Sequence, residues 1–501
     1  MKSEKIIPYL GAFRDIEFIV MKQIEKLLKP TSASSRFYLK LAVCLLLCFS
    51  ATQSLYSQNV DFKTGIIIDS VSIKNSKETY ALYLPKAFDK NKPASLVLIF
   101  DPAARGKSGI QPFIEAAETY NYILVCSNDS KNGPFETNLN IVNRLFEGVF
   151  AKFTINEERI YTAGFSGGSR LASALSVLSK KIEGVIACGA GFSSYLLHKP
   201  MEKADYSYIG LIGEQDMNYQ EMLSAQDWLD GLQIYNELFI NGDGHSWPSS
   251  DQILKAFDWL ELEAFRKYQE PINYFDINRI YQRFYDEARA SESQNKIESA
   301  VWEYQRLQRN FYEYYTLDSI AEKVKKLKAT SQYSKQVRNR MSLKIKEENM
   351  RGVFVNKFAR EIKKNPPIHN VKWWPKKLTT LREEYMLSED RQKQLVGIRT
   401  SNTLYSLAIE SANIHLQDKN YNKSLYCHQI MAELQPNGSY PVFLIAKDYA
   451  NLYKEDETFE YLELAISMGF SEKKYILNAT EFYKYRSSER FKNLIEKMET
   501  P

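Results

Sequence analysis

The sequence predicts an α/β domain with a mostly parallel sheet, followed by an all-α region. Three observations support this prediction. Short β-rich runs alternate with helical runs up to about Phe265, several strand candidates are apolar at consecutive positions, and strand signals stop after about Tyr268. Runs such as LVLIF and YILVC are apolar on both faces, which is typical of parallel strands covered by helices on both sides.

The predicted strands and helices alternate through residues 58–267, the first of two predicted folded regions. The strand candidates are residues 66–73, 80–84, 95–100, 122–127, 159–163, 184–188, 206–212 and 237–240. The long helix candidates are residues 138–153, 168–180, 219–232 and 250–266. This alternation favours a doubly wound sheet, because each helical crossover returns the chain to the same strand direction.

Length and composition support two or three domains and argue against nucleic-acid binding. The chain has 501 residues, of which 44% are hydrophobic and 13% aromatic, as in globular proteins. The net charge is +5, and the first 57 residues hold 8 basic and 4 acidic side chains, which leaves 58 basic against 57 acidic in the rest. A near-neutral protein lacks the basic surface that nucleic acids need. Five scattered cysteines and five histidines predict no metal centre.

The first 57 residues are predicted to be a leader with a signal peptide. Residues 41–49 form an apolar run that follows Arg36 and Lys40 and precedes small and polar residues. The run is shorter than the roughly 20 apolar residues that a membrane-spanning helix needs. We therefore expect cleavage near Ser57, export to the periplasm, the outer surface or the medium, and no stable membrane span. An uncleaved anchor is the alternative.

Three cysteines follow the leader. Cys126 and Cys188 fall on strands that we expect to be three ladder steps apart, which is roughly 14 Å and too far for a disulfide. Cys427 falls in the helical region. We predict that all three are small buried hydrophobic residues.

The strongest chemical signal is the segment Gly-Phe-Ser-Gly-Gly at residues 164–168, between a predicted strand and a predicted helix. In this context Ser166 lies on a sharp turn, and the glycines two positions either side allow the strand and the helix to approach each other. The serine hydroxyl then projects from the carboxyl edge of the sheet. The motif alone is common by chance, and an ordinary glycine-rich turn is the alternative.

Two further residues complete a candidate catalytic triad. His245 lies on a glycine-rich loop after the last predicted strand, and an imidazole titrates in the range that suits proton transfer. Asp216 follows the preceding strand, and the order Ser166, Asp216, His245 is that of α/β-hydrolases. Glu214 and Asp243 are rival carboxylates, although Asp243 is too close to the histidine in sequence to reach round its ring.

These segments resemble the extracellular α/β-hydrolase esterases related to polyhydroxybutyrate depolymerases and feruloyl esterases. In that group a Gly-Gly-His-x-Trp-Pro segment carries the catalytic histidine, and GDGHSWP at residues 242–248 matches it with Asp243 inserted. The resemblance covers about residues 60–265. It implies the α/β-hydrolase fold, a carboxylic ester substrate that is small or borne by a polymer, an acyl-enzyme on Ser166, and no cofactor. Prolyl-oligopeptidase-like enzymes share this fold and triad order, so a serine peptidase is an alternative.

The loop after the third strand departs from the pattern of that group. Its members usually carry His-Gly there, and a backbone N–H of this loop helps to form the oxyanion hole. This chain has Asp101 and Pro102 instead. We expect Gly167 to supply one N–H and Ala103, or Ala104, to supply the second, because proline has none.

Three neighbours of the triad are candidate substrate-binding residues. Phe165 precedes the serine, Trp247 follows the histidine by two positions, and Arg105 lies on the loop after the third strand. Arg105 would bind an anionic group of the substrate, although a solvated loop arginine is the commoner role for such a residue.

Residues 268–501 are predicted to be helical and to contain repeats similar to the tetratricopeptide repeat, a pair of antiparallel helices per 34 residues. With a shift of 34, Ala412 and His428 fall opposite Ala446 and Leu462. We expect His428 to be a packing residue. An irregular helical domain is the alternative. The repeats would bind a protein partner, so an interaction protein with a degenerate hydrolase domain is the alternative to a serine esterase.

Overall fold

The first region forms an eight-stranded sheet. The computed structural model describes residues 62–268 and 274–498. The strands are β1 Ile67–Ser72, β2 Thr79–Tyr83, β3 Ala94–Phe100, β4 Tyr122–Ser127, β5 Ile155–Phe165, β6 Gly184–Cys188, β7 Ser207–Gly213 and β8 Asn236–Asn241. Their order is β1-β2-β4-β3-β5-β6-β7-β8. Strand β2 is antiparallel to β1 and β4, and the pairs from β4 to β8 are parallel. This is the strand order of α/β-hydrolases, and the predicted fold class is confirmed.

Six helices accompany this sheet. They are α1 Gly106–Ile110, α2 Ile114–Tyr120, α3 Phe135–Phe150, α4 Gly167–Leu178, α5 Tyr219–Gly231 and α6 Ser250–Tyr268. Strands β4, β6 and β7 are buried at every position, so both faces of the sheet are covered, as their apolar runs predict.

The structure corrects two predicted boundaries. Strand β5 begins at Ile155 rather than at residue 159, because four partly or fully exposed residues, three of them polar, precede its buried part. Helix α3 begins at Phe135 rather than at residue 138, directly after Pro134, which ends the loop. The short helices α1 and α2 were not predicted, because they are too short for a clear periodicity.

The chain after α6 is helical throughout its described part. The helices are α7 Tyr274–Ser293, α8 Ile297–Phe311, α9 Asp318–Lys328, α10 Ser331–Ile362, α11 Trp373–Leu381, α12 Arg391–Gln417, α13 Tyr421–Leu434, α14 Ser439–Asn451, α15 Glu455–Ser467, α16 Lys473–Asn478 and α17 Glu489–Lys497. Among residues 62–268 and 274–498, no helix has the length and apolarity that crossing a membrane requires.

Helices α12 to α15 show the predicted spacing. Helix α13 begins at Tyr421 and α15 begins at Glu455, 34 positions later. Helices α12 and α14 end at Gln417 and Asn451, again 34 positions apart. Each of these helices packs against the next along the chain. The spacing supports a repeat of helix pairs, and the assignment to tetratricopeptide repeats stays a prediction.

The hydrophobic core of the sheet extends into the helices that follow it. Sheet residues Ile209 and Phe239 belong to the same buried cluster as Phe284, Tyr304 and Phe311 of α7 and α8. A second buried cluster lies further along, between residues 354 and 495. Helices α7 to α9 therefore complete the core of the sheet, and the helices of the second cluster have a core of their own.

Strand β8 lies at the edge of the sheet, where helix α8 covers it. Arg306 of α8 donates a hydrogen bond from Nη2 to the carbonyl oxygen of Leu238 at 2.8 Å. Arg306 and Arg309 also pair with the buried carboxylate of Glu237. Burial alone would raise the pKa of Glu237, but the two arginines hold it below its ordinary value. Helix α8 thus covers an edge that would otherwise be open to pairing with another chain.

Two other sequence predictions have different outcomes. Cys126, Cys188 and Cys427 are all buried and unbonded, as predicted. The predicted leader, residues 1–57, lies outside the described residues, so the signal peptide and export stay predictions.

Candidate active site

Ser166 lies on a strained turn between β5 and α4. Its backbone has φ 53° and ψ −116°, a conformation that side chains of L-residues rarely adopt and that stores about 1–3 kcal/mol. The neighbouring glycines have no room for a side chain. A Cβ on Gly164 would lie 2.2 Å from the carbonyl oxygen of Gly168, and a Cβ on Gly168 would lie 2.0 Å from that of Phe100. The turn therefore has the geometry of a nucleophile elbow.

The structure brings the three candidate triad residues together. The Nε2 atom of His245 lies 2.9 Å from Ser166 Oγ, and its Nδ1 atom lies 2.8 Å from Asp216 Oδ2. When Nδ1 carries the proton and donates it to the carboxylate, Nε2 is free to accept the proton of the serine hydroxyl. Asp216 is buried, whereas Ser166 and His245 are partly exposed. A substrate could therefore reach the serine and the imidazole, and water is excluded from the carboxylate.

Backbone hydrogen bonds tie the Asp216 loop to the His245 loop. The N–H of Glu214 donates to the carbonyl oxygen of Asn241 at 2.8 Å, and the N–H of Gln215 donates to that of Asp243 at 3.1 Å. The second oxygen of Asp216 accepts a hydrogen bond from the N–H of Asn218 at 2.8 Å. These bonds leave Oδ2 of Asp216 directed at the histidine.

The rival carboxylates have other partners. Glu214 accepts a hydrogen bond from Arg391 at 2.7 Å. Asp243 accepts one from Gln252 at 3.2 Å. Among the described residues, Asp216 is the carboxylate that His245 contacts.

Phe165 and Trp247 pack behind the histidine. The ring centroid of Phe165 lies 4.6 Å from that of His245 and 5.5 Å from that of Trp247, and Phe165 is buried. The indole N–H of Trp247 donates to Oδ2 of Asp101 at 2.9 Å. The ring of Phe165 contacts the imidazole, and Trp247 packs against Phe165. The prediction that both residues bind substrate stays a prediction.

The loop after β3 is organised around the buried carboxylate of Asp101. Its Oδ1 atom accepts the N–H of Ala103 at 2.9 Å, and its backbone carbonyl accepts the N–H of Ala104 at 3.0 Å. Burial opposes ionisation of Asp101, but hydrogen bonds from Arg105, Trp247 and Ala103 outweigh it and lower its pKa. In this geometry both N–H groups donate to Asp101. The role of Ala103, or Ala104, as the second oxyanion donor stays a prediction.

Arg105 does not face the triad. Its Nε and Nη2 atoms both lie 3.0 Å from the carboxylate of Asp101. It also lines a shallow pocket with Asp69, Thr79 and Asn128, and that pocket does not contain Ser166. The guanidinium of Arg105 is therefore held by the loop on which it lies, and its binding of an anionic group of the substrate stays a prediction.

Asn132 is a site residue that the sequence analysis missed. Its backbone N–H donates to the carbonyl oxygen of Pro102 at 2.8 Å, which brings the loop after β4 to the loop after β3. Its side-chain amide lies against Gly167, where an added Cβ would be 1.8 Å from Oδ1 and 3.4 Å from Nδ2. The side chain is exposed, and among the described residues its amide has no hydrogen-bond partner. No motif marks Asn132, because only the fold brings it to the serine.

Gly167 also supplies a backbone N–H at the start of helix α4. It is the first N–H of helix α4, and such groups have no acceptor within their own helix. The helix dipole adds a partial positive charge at the same end. Among the described residues, no group of histidine, cysteine, aspartate and glutamate side chains is arranged to hold a metal ion.

Similar solved structures cover the sheet region. No protein-family model and no curated protein matches the sequence. The fluorophosphonate-binding serine hydrolase FphF of Staphylococcus aureus is 14% identical over 40% of this chain and 99% of its own, with a TM-score of 0.34. An esterase of Pyrobaculum calidifontis is 10% identical over 40% of this chain and 86% of its own, with a TM-score of 0.34. The feruloyl esterase module from Clostridium thermocellum is 13% identical over 37% of this chain and 83% of its own, with a TM-score of 0.32.

Proposed function

We propose that this protein is a serine hydrolase that cleaves carboxylic esters through an acyl-enzyme. One observation carries the proposal. Ser166 Oγ, the imidazole of His245 and the carboxylate of Asp216 form an unbroken hydrogen-bonded chain on a strained strand–helix turn. A serine hydroxyl is a weak nucleophile, and a hydrogen-bonded, oriented imidazole is what activates it.

The proposed reaction has two halves. Ser166 Oγ attacks the carbonyl carbon while His245 Nε2 takes the hydroxyl proton, and Asp216 stabilises the imidazolium that forms. The tetrahedral intermediate collapses, the alcohol leaves with the proton from His245, and the acyl group stays on Ser166. A water molecule then attacks the acyl carbon with His245 as base. The acid leaves, the proton returns to Ser166 Oγ, and the enzyme is restored.

We propose that Gly167 and Asn132 stabilise the oxyanion. The backbone N–H of Gly167 is the first donor. The side-chain amide of Asn132 is the second, because a half-turn of the amide exchanges Oδ1 and Nδ2 and brings an N–H to the space beside Gly167. A side-chain amide is an established type of oxyanion donor, and losing one donor typically costs about 10²–10³ in rate.

An apolar segment beside the site supports an ester with an apolar or aromatic acyl group. Tyr195, Leu196 and Leu197 lie on the loop after β6, and Leu197 is 81% exposed. The ring of the next residue, His198, stacks on that of Phe135, with the ring centroids 3.9 Å apart. Phe135 begins α3, just after the loop that carries Asn132. Exposed apolar residues in a row are typical of a surface that binds a ligand.

We further propose that the protein is exported, on the basis of the leader in residues 1–57.

Two other functions compete with the esterase. A serine peptidase would use the same triad. An interaction protein with a degenerate hydrolase domain would use only the helical region, and the departure of the loop after β3 from the His-Gly pattern favours it.

Turnover of matched esters and amides distinguishes the three functions. The purified full chain is offered p-nitrophenyl esters and p-nitroanilides that share their acyl groups, with Ser166→Ala as the control. We expect ester turnover that Ser166→Ala abolishes, and an acyl adduct on Ser166 by mass spectrometry. Faster turnover of the anilides would favour the peptidase. No turnover of either by a folded chain would contradict both enzymatic functions.

A further inference from the structure

We propose that the helical region is part of the catalytic unit, because helices α10 and α12 hold the loop that carries Asp216. This inference rests on the proposed function. The side chains of the helical region that contact this loop are then positioning residues for Asp216.

Side chains of the helical region bind the backbone on both sides of Asp216. Three carbonyl oxygens within two residues of it accept hydrogen bonds from α10 and α12. The bonds are Arg399 Nη1 to Glu214 O at 2.7 Å, Asn402 Nδ2 to Gln215 O at 3.2 Å and Arg351 Nη2 to Met217 O at 2.8 Å. In addition, the guanidinium of Arg399 lies 4.6 Å from the ring of Tyr219, at the start of α5. The helical region thus contacts the whole length of the acid loop.

The two helices are themselves locked together at this point. Arg399 of α12 binds Glu347 of α10 through Nε at 2.9 Å and Nη2 at 2.6 Å. Glu347 is fully buried and Arg399 is 4% exposed. Glu347 also accepts a hydrogen bond from Gln220 of α5 at 3.1 Å. A bidentate guanidinium–carboxylate pair has a fixed geometry, so it fixes where α10 and α12 meet the loop.

The acid loop is therefore held from two directions. Its N–H groups at Glu214 and Gln215 donate to the His245 loop, whereas its carbonyl groups accept from the helices. The His245 loop therefore accepts the hydrogen bonds of the N–H groups, and the helices donate hydrogen bonds to the carbonyl oxygens. Loops are usually the less rigid parts of a fold. A misplacement of about 1 Å in a catalytic group can cost about 10² in rate, which gives the helical contacts a direct effect on the triad.

A double variant removes two of the contacts and keeps the buried pair. Arg351→Met with Asn402→Ala breaks the bonds to Met217 and Gln215. It also removes the longer, 3.6 Å contact of Arg351 with Glu347, but the bidentate pair of Arg399 with Glu347 remains. Arg340→Met is the matched control, because Arg340 lies on the same helix, is similarly exposed and pairs with Glu298. Among the described residues, no hydrogen bond joins Arg340 to the loop of Asp216. We expect kcat to fall by about 10–10² and KM to stay near its original value, with the control unchanged.

Two measurements separate positioning from general destabilisation. In a chain that already carries Asp216→Asn, the double variant should cause little further loss of kcat, because its effect passes through Asp216. An equal loss in both backgrounds would overturn the proposal. Amide hydrogen exchange should speed up in residues 214–220 of the double variant and not in the control.

The exchange measurement also keeps this inference distinct from the proposed function. If the wild-type chain hydrolyses no ester, the proposed function fails, and the exchange data still report whether the helices hold the loop. Unchanged exchange in residues 214–220 would overturn the inference whether or not the enzyme is active.

Discussion

Residues 62–268 and 274–498 contain two histidine–aspartate pairs, one in each region, and the pairs differ in what surrounds the imidazole. In the sheet region His245 Nδ1 lies 2.8 Å from Asp216, and Nε2 lies 2.9 Å from Ser166. In the helical region His428 Nδ1 lies 2.5 Å from Asp448, between α13 and α14. The side chain of His245 is 21% exposed, whereas that of His428 is 2% exposed. The difference teaches that a hydrogen-bonded pair is suited to catalysis only when the second ring nitrogen meets a nucleophile that substrate can reach.

The buried pair has the surroundings of a packing contact. His428 and Asp448 lie among residues of the second core, such as Cys427 and Ala446. Burial raises the pKa of Asp448, although its hydrogen bond to His428 opposes the shift. This outcome agrees with the expectation that His428 is a packing residue.

The largest predicted difference between the pairs concerns turnover. Asp216→Asn should lower kcat by about 10⁴, because the amide favours the wrong tautomer of His245. Asp448→Asn, the matched change in the other pair, should leave kcat within about twofold, because Asp448 bonds to His428 in the helical region and not to a residue of the triad. Ester hydrolysis measures both. Equal losses of kcat in the two variants would contradict the claim that only the pair beside Ser166 is catalytic.

The second prediction concerns stability, for which we expect the buried pair to matter more than the exposed one. His428→Ala leaves a buried carboxylate without its partner, so the free energy of unfolding should fall by about 3–5 kcal/mol. His245→Ala removes a partly exposed ring and should cost about 1 kcal/mol. Denaturant titration of the two variants gives both values. A larger loss for His245→Ala would show that the first pair also serves the fold.

The third prediction concerns the oxyanion donors. They are proposed to act beside Ser166, in the site that contains the first histidine–aspartate pair. Asn132→Ala should lower kcat by about 10²–10³ with little change in KM, because the donor acts mainly in the transition state. Asn132→Asp should do the same, because a carboxylate cannot donate. Asn140→Ala, at an exposed position on the helix that follows, is the control. Wild-type kcat in Asn132→Ala would remove Asn132 from the mechanism.

The smallest predicted effect is the pH dependence of the buried pair. Because burial raises the pKa of Asp448 above its ordinary value of 3.8, its contribution to stability is full below that value and is lost as the pH rises through the folded pKa. An asparagine does not titrate, so the stability gap between wild type and Asp448→Asn should narrow from about pH 4 to about pH 7. Denaturant titration at the two pH values measures the gap. A difference in the free energy of unfolding that grows from about pH 4 to about pH 7 would contradict a raised pKa for Asp448.

The sequence predicted the sheet and the triad because both rest on local patterns. Ser166 is marked by the glycines around it, and Asp216 and His245 follow buried strands whose carboxyl ends meet at one edge of the sheet. The same patterns predicted that several strands are buried on both faces and that the cysteines are unbonded.

The rest of the site depends on contacts that no local pattern encodes. Asp101 looks like a departure from a motif, and only the structure shows that it binds the N–H groups of its own loop and the indole of Trp247. Asn132 reaches Gly167 through a loop that the sequence does not distinguish. Arg399 bonds to Glu214 across a separation of 185 residues. The helical region therefore looked like a separate binding module, although its side chains touch the acid loop.

Labelling with a fluorophosphonate probe tests the central claim most directly. The full chain, His245→Ala and His428→Ala are treated in parallel at a temperature where all three are folded, and the adducts are located by mass spectrometry. The account predicts rapid labelling of Ser166 in the full chain and in His428→Ala, and loss of labelling in His245→Ala. Labelling of Ser166 that survives His245→Ala, or no labelling of the folded full chain, would contradict the claim that the exposed pair activates the serine.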